Sequence, residues 1–359
     1  MKTNHNNFLK LAFNIAKVNL GKTSLNPSVG CIIVKNKSVI SSGYTSINGR
    51  PHAEFNALKS KKDYSNSDLY VTMEPCTHYG LTPPCTNIII KKGIKRVFYS
   101  FDDIDKRTSK KSKEVLKKKQ IKNYKKKINS FKNFYESYFF SRENSIPYVD
   151  AKIAISKDYF TIKKNQTKWI TNIYSRNRTH LIRSQYEAII STSKSINKDN
   201  SSLNCRIDGF NKNKPDLIII DRRLKIKKNL NLFKNIKKRR IFVVTSTLKN
   251  KKISFLKKKG VKIIFLESLK CKDDFENLFK ILKKNNYNRI LVESGLIFLN
   301  ELIKNKMIFN LYIFKSSYFL RKKGKNNTSI NLIKKIKLKE QINVNLNGDK
   351  LYKAKLNNV

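Results

Sequence analysis

The sequence predicts an α/β protein with two domains, and three observations support this fold class. The chain has 359 residues, enough for two separate hydrophobic cores. Short apolar runs of strand length alternate with longer segments of helical periodicity, the pattern of α/β folds. A polar, turn-forming run at residues 141–147 lies between the two halves. We therefore expect one domain over residues 1–146 and a second over residues 147–359.

The first domain is expected to begin with an amphipathic helix, because apolar residues 8, 11, 12, 15 and 16 recur at helical spacing. Buried Cys31–Val34 and the run Ser38–Ser42 flank a short polar turn, which predicts a strand hairpin. A helix then opens at His52. The next predicted elements are strands at Leu69–Met73 and Val97–Ser100 and a helix around Asn87–Ile90.

Two further segments complete this domain. Lys110–Lys127 is basic with a helical pattern, which predicts a solvated helix followed by a loop. Five aromatic residues then recur at helical spacing, and such a stripe is more often core or interface than a base-stacking surface. They are Phe131, Phe134, Tyr135, Tyr138 and Phe139.

The second half alternates short apolar runs with helical stretches, which predicts an α/β domain with a sizeable sheet. No Gly-x-Gly-x-x-Gly follows any of these runs, so the Rossmann fingerprint of dinucleotide binding is absent. The predicted strands are Tyr148–Ile155, Ala188–Ser191, Leu217–Ile220, Ile241–Thr245, Lys262–Leu266, Ile290–Val292 and Asn310–Phe314.

The formal net charge of +53 would ordinarily indicate a nucleic-acid partner. The basic residues are mostly lysine, occur throughout the chain and accompany abundant asparagine and isoleucine, which favours drift towards AT-rich codons over a selected binding face. The chain has neither a secretory signal nor 18 consecutive apolar residues, so no membrane span is expected. We expect a cytoplasmic protein whose five thiols stay reduced.

Residues 51–85 carry the strongest chemical signal. His52-Ala53-Glu54 is followed by Pro75-Cys76 and by a second thiol at Cys85, the arrangement of zinc deaminases. One imidazole and two thiolates suit Zn²⁺ and leave its fourth tetrahedral position for water. The pattern predicts His52, Cys76 and Cys85 as metal ligands. Glu54 is the expected general acid and base, taking a proton from the water and passing it to the departing amine.

The spacing of the two cysteines distinguishes this motif from the common zinc-deaminase motif. Eight residues separate them, whereas the common deaminase motif has two. The segments NPSVGCIIV, GRPHAE, VTMEPCTHYGLTPPC, WIT and VESG occur in that order along nearly the whole chain. Together they resemble the bifunctional riboflavin-biosynthesis deaminase–reductases.

The resemblance implies a cytidine-deaminase-like α/β/α domain followed by a dihydrofolate-reductase-like α/β domain. The first would hydrolyse the 2-amino group of a diaminopyrimidinone that carries a ribosylamino 5-phosphate, with zinc as cofactor. The second would use NADPH to reduce the ribosyl group to ribityl. The substrate is thus a small pyrimidine ribosyl phosphate, and we expect a homo-oligomer. Asn26 and His78 would line the deaminase pocket; a turn role for Asn26 and a packing role for His78 stay open.

The resemblance also assigns residues of the second domain. Cofactor-contact positions are Trp169, Ser195, Asp199 and Gly295. Substrate positions are Thr167, Arg183, Leu203, Arg206 and Glu293. Guanidinium groups suit a substrate phosphate, although both arginines could be ordinary surface cations. Core packing is the alternative for Trp169.

Three departures from the family pattern fall in the second domain. Tyr159 stands where the family has glycine, and a side chain there could block a ligand's approach to the backbone. Asn200-Ser201 replaces Asp-Pro, and Leu296 replaces a proline. Two alternatives therefore stay open: a deaminase with an inactive reductase domain, and an RNA-binding or tRNA-editing zinc deaminase.

Overall fold

The structure is a computed structural model that describes residues 4–164, 169–209, 215–234 and 236–356. Internal packing divides the chain into two compact units, Met1–Arg142 and Glu143–Val359. Each unit has its own hydrophobic core. The placing of a functional boundary after residue 146 stays a prediction.

The first unit is a five-stranded sheet in the order β2-β1-β3-β4-β5, with β1 antiparallel to both neighbours and the other pairs parallel. Its strands are β1 (Gly30–Lys35), β2 (Ser38–Tyr44), β3 (Asp68–Met73), β4 (Arg96–Phe101) and β5 (Lys122–Lys125). Its helices are α1 (His5–Ala16), α2 (Ala53–Leu58), α3 (Cys85–Lys91), α4 (Ser112–Lys117) and α5 (Glu136–Glu143).

Two glycines allow helices to pack closely on both faces of this sheet. Gly30 and Gly43 belong to adjacent residue pairs of the β1–β2 ladder, so they face opposite sides. A side chain at Gly30 would collide with the backbone of α1, and one at Gly43 with the backbone of α2. The sheet therefore lies between helices, and α2 carries the His52 segment onto it.

The predicted hairpin, the strands β3 and β4, and the helices α1, α2 and α3 are confirmed. The aromatic stripe is also confirmed as core, with Tyr135 at its centre. The Tyr135 hydroxyl donates to the Ser28 carbonyl (3.1 Å) and lies 2.6 Å from Thr72 Oγ1, so the stripe is tied to the strands beneath it.

The prediction for Lys110–Lys127 is wrong in part. A helix, α4, is present, but the expected loop contains the edge strand β5, which pairs with β4. Its four residues are Lys, Asn, Tyr and Lys, and polar side chains on a solvated edge strand conceal the alternation that identifies a strand.

The second unit is built on an eight-stranded sheet in the order β11-β10-β9-β8-β12-β6-β13-β15. Its long strands are β6 (Tyr148–Ile155), β8 (Ala188–Thr192), β9 (Asp216–Ile220), β10 (Ile241–Thr245), β11 (Lys262–Phe265), β12 (Arg289–Val292), β13 (Asn310–Lys315) and β15 (Lys350–Lys355). A separate short ladder joins β7 (Ile162–Lys163) to β14 (Gly324–Lys325). The helices are α6 (Ile173–Arg183), α7 (Ser193–Asp199), α8 (Lys251–Lys258), α9 (Lys272–Lys284), α10 (Leu296–Lys304) and α11 (Asn331–Lys335).

All seven strands expected in the second half are confirmed, and β15, β7 and β14 are additions. The ladder is parallel except for β15, which is antiparallel to β13. The two faces of the sheet pack into different clusters, because side chains alternate along each strand. Along β6, Ile153 and Ile155 face the cluster that includes Leu299 and Ile333, whereas Ala154 faces the cluster that includes Tyr186 and Phe314.

Within the described segments, no helix combines the length and the apolar character needed to cross a membrane.

Candidate functional site

In the first unit the structure brings His52, Cys76 and Cys85 together. One ligand atom from each lies within 4.8 Å of the others. His52 Nδ1 lies 3.3 Å from the Cys85 sulfur and 3.7 Å from the Cys76 sulfur. The backbone N–H of Cys85 donates to the Cys76 sulfur at 3.2 Å. Two soft sulfurs and one imidazole nitrogen at this separation fit a tetrahedral zinc ion with one position left for water or substrate.

Secondary-structure ends place these three side chains. His52 is the residue at the amino-terminal cap of α2; its backbone is extended and its side chain makes no capping hydrogen bond. Cys76 follows the carboxyl end of β3, and Cys85 is the first residue of α3. Local elements therefore form the cluster, and this is why a sequence motif predicts it.

Glu54 lies in the first turn of α2 and is 4% exposed. Burial and the neighbouring Cys76 thiolate raise its pKa to about 7, and His52 opposes the shift. A carboxyl group with a pKa near neutrality can both accept and return a proton.

The two thiols have different environments. Hydrogen bonding from Cys85 lowers the pKa of Cys76 to about 4, while the same contact and burial raise the pKa of Cys85 well above its usual range. Zinc binding requires both sulfurs as thiolates and is therefore expected to release a proton.

Asn26 and His78 have structural partners beside this cluster. The Asn26 amide donates to the Gly49 carbonyl at 2.9 Å, so it fixes the loop that precedes His52. His78 Nδ1 lies 2.8 Å from the hydroxyl of buried Thr108, and His78 is not among the clustered metal ligands.

Arg50 is a contributor that the sequence reasoning did not single out. Its guanidinium lies 3.3 Å from His52 Nε2 and donates to the Thr82 hydroxyl at 2.8 Å. It therefore links the loop before His52 to the loop between the two cysteines. Its position directly before Pro51 and His52 was the available signal.

The loop after β4 is anchored by the buried carboxylate of Glu74. Backbone N–H groups of Lys110 (2.9 Å) and Ser112 (3.0 Å) donate to it. This loop carries Thr108, the partner of His78. Glu74 thus fixes the loop that carries Thr108, and only the fold reveals this connection because its partners lie about 36 residues away.

In the second unit the structure pairs Arg183 with Glu293. Arg183 Nε and Nη2 donate to the two carboxylate oxygens at 2.5 and 2.9 Å, a bidentate ion pair of which both members are largely buried. Arg183 Nη1 donates to the Asn204 carbonyl at 3.1 Å. The fork that was expected to hold a phosphate therefore faces Glu293 in this structure.

His180 and Arg206 extend this cluster. His180 Nδ1 lies 2.9 Å from the Asn204 carbonyl, and Nε2 lies 3.2 Å from the Arg206 guanidinium. Burial and the two arginines lower the pKa of His180 to about 4, so the ring is neutral and accepts from Arg206 while donating to the carbonyl. Arg206 itself is exposed.

Lys152 on β6 is a further charged residue that the sequence reasoning did not single out. Strand β12 ends at Val292, which pairs with Ala151, so Glu293 follows at the level of Lys152. Burial lowers the pKa of Lys152, and the Glu293 carboxylate opposes that shift. A lysine inside the otherwise apolar run Ala151–Ile155 was the signal.

The cofactor positions fall at helix ends. Ser195 lies in the first turn of α7, and Gly295 precedes α10; a side-chain carbon at Gly295 would lie 3.5 Å from the Ser195 hydroxyl. Asp199 is the last residue of α7. Trp169 is 52% exposed under the Arg176 guanidinium, so the alternative of core packing is wrong. Thr167 lies outside the described residues.

Comparison with known proteins gives a family match for each half of the chain. The zinc-binding region of cytidine and deoxycytidylate deaminases matches residues 2–101, and the RibD C-terminal domain matches residues 147–344. The riboflavin biosynthesis protein RibD of Aquifex aeolicus is 32% identical over 311 residues, covering 86% of this chain and 85% of the relative. The chain belongs to the RibD family.

RibD from Buchnera aphidicola is likewise 32% identical over 323 residues. A Thermotoga maritima deaminase/reductase structure superposes with a TM-score of 0.81 at 25% identity, covering 98% of both chains. This RibD-family chain is therefore a bifunctional enzyme of riboflavin biosynthesis, with a zinc-dependent deaminase domain and an NADPH-dependent reductase domain.

Two residues that depart from the RibD pattern, Tyr159 and Asn200, are accommodated in the structure. Tyr159 has φ +68°, the left-handed backbone that glycine favours, so the turn is retained. Its ring lies 4.4 Å from the Lys315 ammonium and packs on the cluster containing Ile333. The Lys152 ammonium instead lies over Phe314, on the other face of the sheet. Tyr159 therefore does not enter the Arg183–Glu293 cluster.

Asn200 has a comparable role. It ends α7 with φ +46°, a left-handed conformation that asparagine tolerates better than most residues. Its side-chain oxygen accepts from the Asn231 backbone N–H at 2.9 Å, which ties the end of α7 to a neighbouring turn.

Proposed function

We propose that Glu54 is the proton carrier of the deaminase step, and that His52, Cys76 and Cys85 hold its zinc. The observation that carries this proposal is the buried carboxyl group of Glu54, two residues after His52, beside three ligand atoms that lie within 4.8 Å of one another. When bound, zinc would act as the Lewis acid that makes water nucleophilic near neutral pH. Glu54 accepts a proton from the attacking water and returns it to the departing 2-amino group, which leaves as ammonia.

Asn26 and His78 are proposed to line the pyrimidine pocket. Both are held by protein partners, Asn26 by Gly49 and His78 by Thr108, so their orientation is fixed before substrate arrives. Preorganised polar groups cost less to align on binding than free ones. The substrate class is a pyrimidine bearing a ribosylamino phosphate.

The Glu54 role is tested with the full chain and its substrate, 2,5-diamino-6-(5-phosphoribosylamino)pyrimidin-4(3H)-one. Glu54→Gln should lower kcat for ammonia release by roughly 10²–10⁴-fold, the usual contribution of a general acid–base group. Zinc content should stay at the wild-type level. Glu114→Gln, which changes an exposed carboxylate on α4, is the matched control and should be fully active. A Glu54→Gln enzyme with normal ammonia release would exclude the assigned role.

For the reductase domain we infer that Arg183, Leu203, Arg206 and Glu293 contact the substrate, and that Trp169, Ser195, Asp199 and Gly295 contact NADPH. Thr167 is carried as a further substrate contact. The paired Arg183–Glu293 groups next to Lys152 offer hydrogen-bond donors and acceptors to the sugar hydroxyls. Exposed Arg206 supplies the cation for the 5-phosphate. NADPH supplies the hydride.

Supplying 5-amino-6-(5-phosphoribosylamino)uracil directly tests the reductase domain, because this compound bypasses deamination. We expect NADPH oxidation at 340 nm and quenching of Trp169 fluorescence when NADPH binds. An enzyme that releases ammonia but never oxidises NADPH would instead support an inactive reductase domain. The position of Tyr159 on the opposite face removes the main observation behind that alternative.

Three further expectations remain proposals alongside these roles. They are a cytoplasmic location, assembly as a homo-oligomer and independence from nucleic acid. Light scattering of the purified protein with and without RNA, at low and physiological salt, tests the last two together.

A further inference from the structure

We propose that Arg239 is a positioning residue for reductase substrate binding, acting through residues 202–206. This inference rests on the proposed function, because that segment carries two of the proposed substrate contacts, Leu203 and Arg206. Arg239 lies two residues before β10 and belongs to none of the motifs that indicate the family.

The guanidinium of Arg239 binds three backbone carbonyls. Nη1 donates to the Leu203 oxygen at 2.7 Å and to the Pro215 oxygen at 3.1 Å, and Nη2 donates to the Ser202 oxygen. Two consecutive carbonyls of the segment thus point at one cation. Burial lowers the pKa of Arg239 to about 10, and the group still carries its charge at neutral pH.

The segment that Arg239 holds contacts Arg183 and His180 through its next residue, Asn204. The Asn204 carbonyl accepts from Arg183 Nη1 at 3.1 Å and lies 2.9 Å from His180 Nδ1. Arg183 in turn makes the bidentate pair with Glu293. Any shift of residues 202–204 would therefore move the acceptor that orients the Arg183 guanidinium.

The backbone conformation of residues 202–204 requires stabilisation by surrounding groups. Leu203 has φ +46°, a left-handed backbone that is unfavourable for residues other than glycine. Strained residues persist where the surroundings over-determine them. Here the Leu203 side chain is buried in the core and its carbonyl is held by Arg239, so both ends of the residue are fixed.

Arginine suits this task better than lysine. Its planar fork presents several donors in fixed directions, whereas an ammonium is a single point charge on a flexible stem. The donors of Arg239 are directed at carbonyl oxygens, so the residue acts through the segment and not as a substrate ligand.

The test uses the full-length enzyme with three variants. Arg239→Met removes the donors, Arg239→Lys keeps the charge, and Arg240→Met is the matched control. Arg240 is the neighbouring arginine, and it pairs with Asp216 instead of residues 202–206. The measurements are kcat, the two reductase KM values, deaminase activity of the same preparation, melting temperature, and the Kd of the uracil substrate by calorimetry.

We expect Arg239→Met to raise the KM and Kd for the uracil substrate by about tenfold, equivalent to about 1.4 kcal/mol. The KM for NADPH and the deaminase activity should stay at wild-type values, Arg239→Lys should be intermediate, and Arg240→Met should match the wild type. If Arg239→Met does not fold, Arg239→Lys is judged by the same criteria.

Two results would overturn the inference: an unchanged Kd for the uracil substrate, or equal losses in both KM values and melting temperature without rescue by lysine. Failure of the proposed function looks different, because the wild type would then bind the uracil substrate without oxidising NADPH. In that case the calorimetric comparison still decides the role of Arg239.

Discussion

Tyr159 occupies a backbone position suited to glycine, yet its side chain packs against Lys315 and the core face away from Lys152. Replacing it with glycine relieves the left-handed strain but removes the packed ring and its cation contact. These effects oppose each other, and we expect the free energy of unfolding to change by less than about 2 kcal/mol.

The same Tyr159→Gly variant should leave reductase kcat and both KM values within about twofold of the wild type, because no interaction with substrate is removed. Steady-state NADPH oxidation measures this. A large fall in KM on removing the ring would mean instead that Tyr159 obstructs the site.

His180 should make the second unit sensitive to acid. Burial, Arg183 and Arg206 lower its pKa to about 4 from the usual 6.5. Between these values the unfolded chain binds a proton that the folded protein does not, so stability is fully present above pH 6.5 and falls as the pH drops towards 4. Urea unfolding at pH 7 and pH 5 should show a smaller loss for His180→Asn than for the wild type.

A direct NMR titration of the His180 ring provides the control for that experiment. An apparent pKa near 6.5 in the folded protein would contradict the argument, whatever the unfolding data show.

The metal cluster and the reductase cluster differ in how far sequence could define them. His52, Glu54, Cys76 and Cys85 lie within 34 residues, and their types alone specify the chemistry. Arg183 and Glu293 are 110 residues apart, so their ion pair follows only from the fold. The resemblance to the family identified both positions and favoured a substrate phosphate as the partner of Arg183. In the structure, its guanidinium pairs with the Glu293 carboxylate.

At the scale of elements, the loop between β4 and α4 positions a residue of the proposed pyrimidine pocket. It is held by Glu74 and presents Thr108 to His78. Thr108 is fully buried, so valine can replace it with little change in volume while removing the hydroxyl.

Thr108→Val should therefore raise the deaminase KM several-fold, because an ordinary hydrogen bond contributes about 0.5–1.5 kcal/mol. Zinc content and reductase activity should not change. Ser109→Ala, next to it in the same loop, is the control for a lost hydroxyl. Equal KM values for the two variants would show that the Thr108–His78 contact does not orient the pocket.

Strands made mostly of buried apolar residues were predictable, and polar edge strands were not. Strands β6 and β10 match their predicted bounds because most of their residues are apolar and buried. Strands β5 and β15 are edge strands rich in lysine, and pairing to a neighbour, not side-chain burial, defines them. Local pattern cannot report a hydrogen-bonding partner elsewhere in the chain.

At the scale of the whole molecule, the two activities depend on separate cores. Removing zinc with a chelator should abolish ammonia release and lower the melting temperature of the first unit, because bound metal stabilises only the state that binds it. NADPH oxidation with the uracil substrate should continue at the wild-type rate.

Readdition of zinc should restore deamination, and magnesium should not, since thiolate ligands select the softer ion. Parallel loss of both activities on chelation would argue that the second unit also depends on the metal.

The Tyr135 hydroxyl has a consequence for dissecting the protein. The part that matches the deaminase zinc-binding region ends at residue 101, and it contains every proposed zinc ligand. A fragment cut there would leave Thr72 and the Ser28 carbonyl without their phenol and would open the core that Phe134 and Phe139 close. The smallest transplantable deaminase is therefore longer than its catalytic motif: an excised gene segment has to run through codon 142, where the first unit ends.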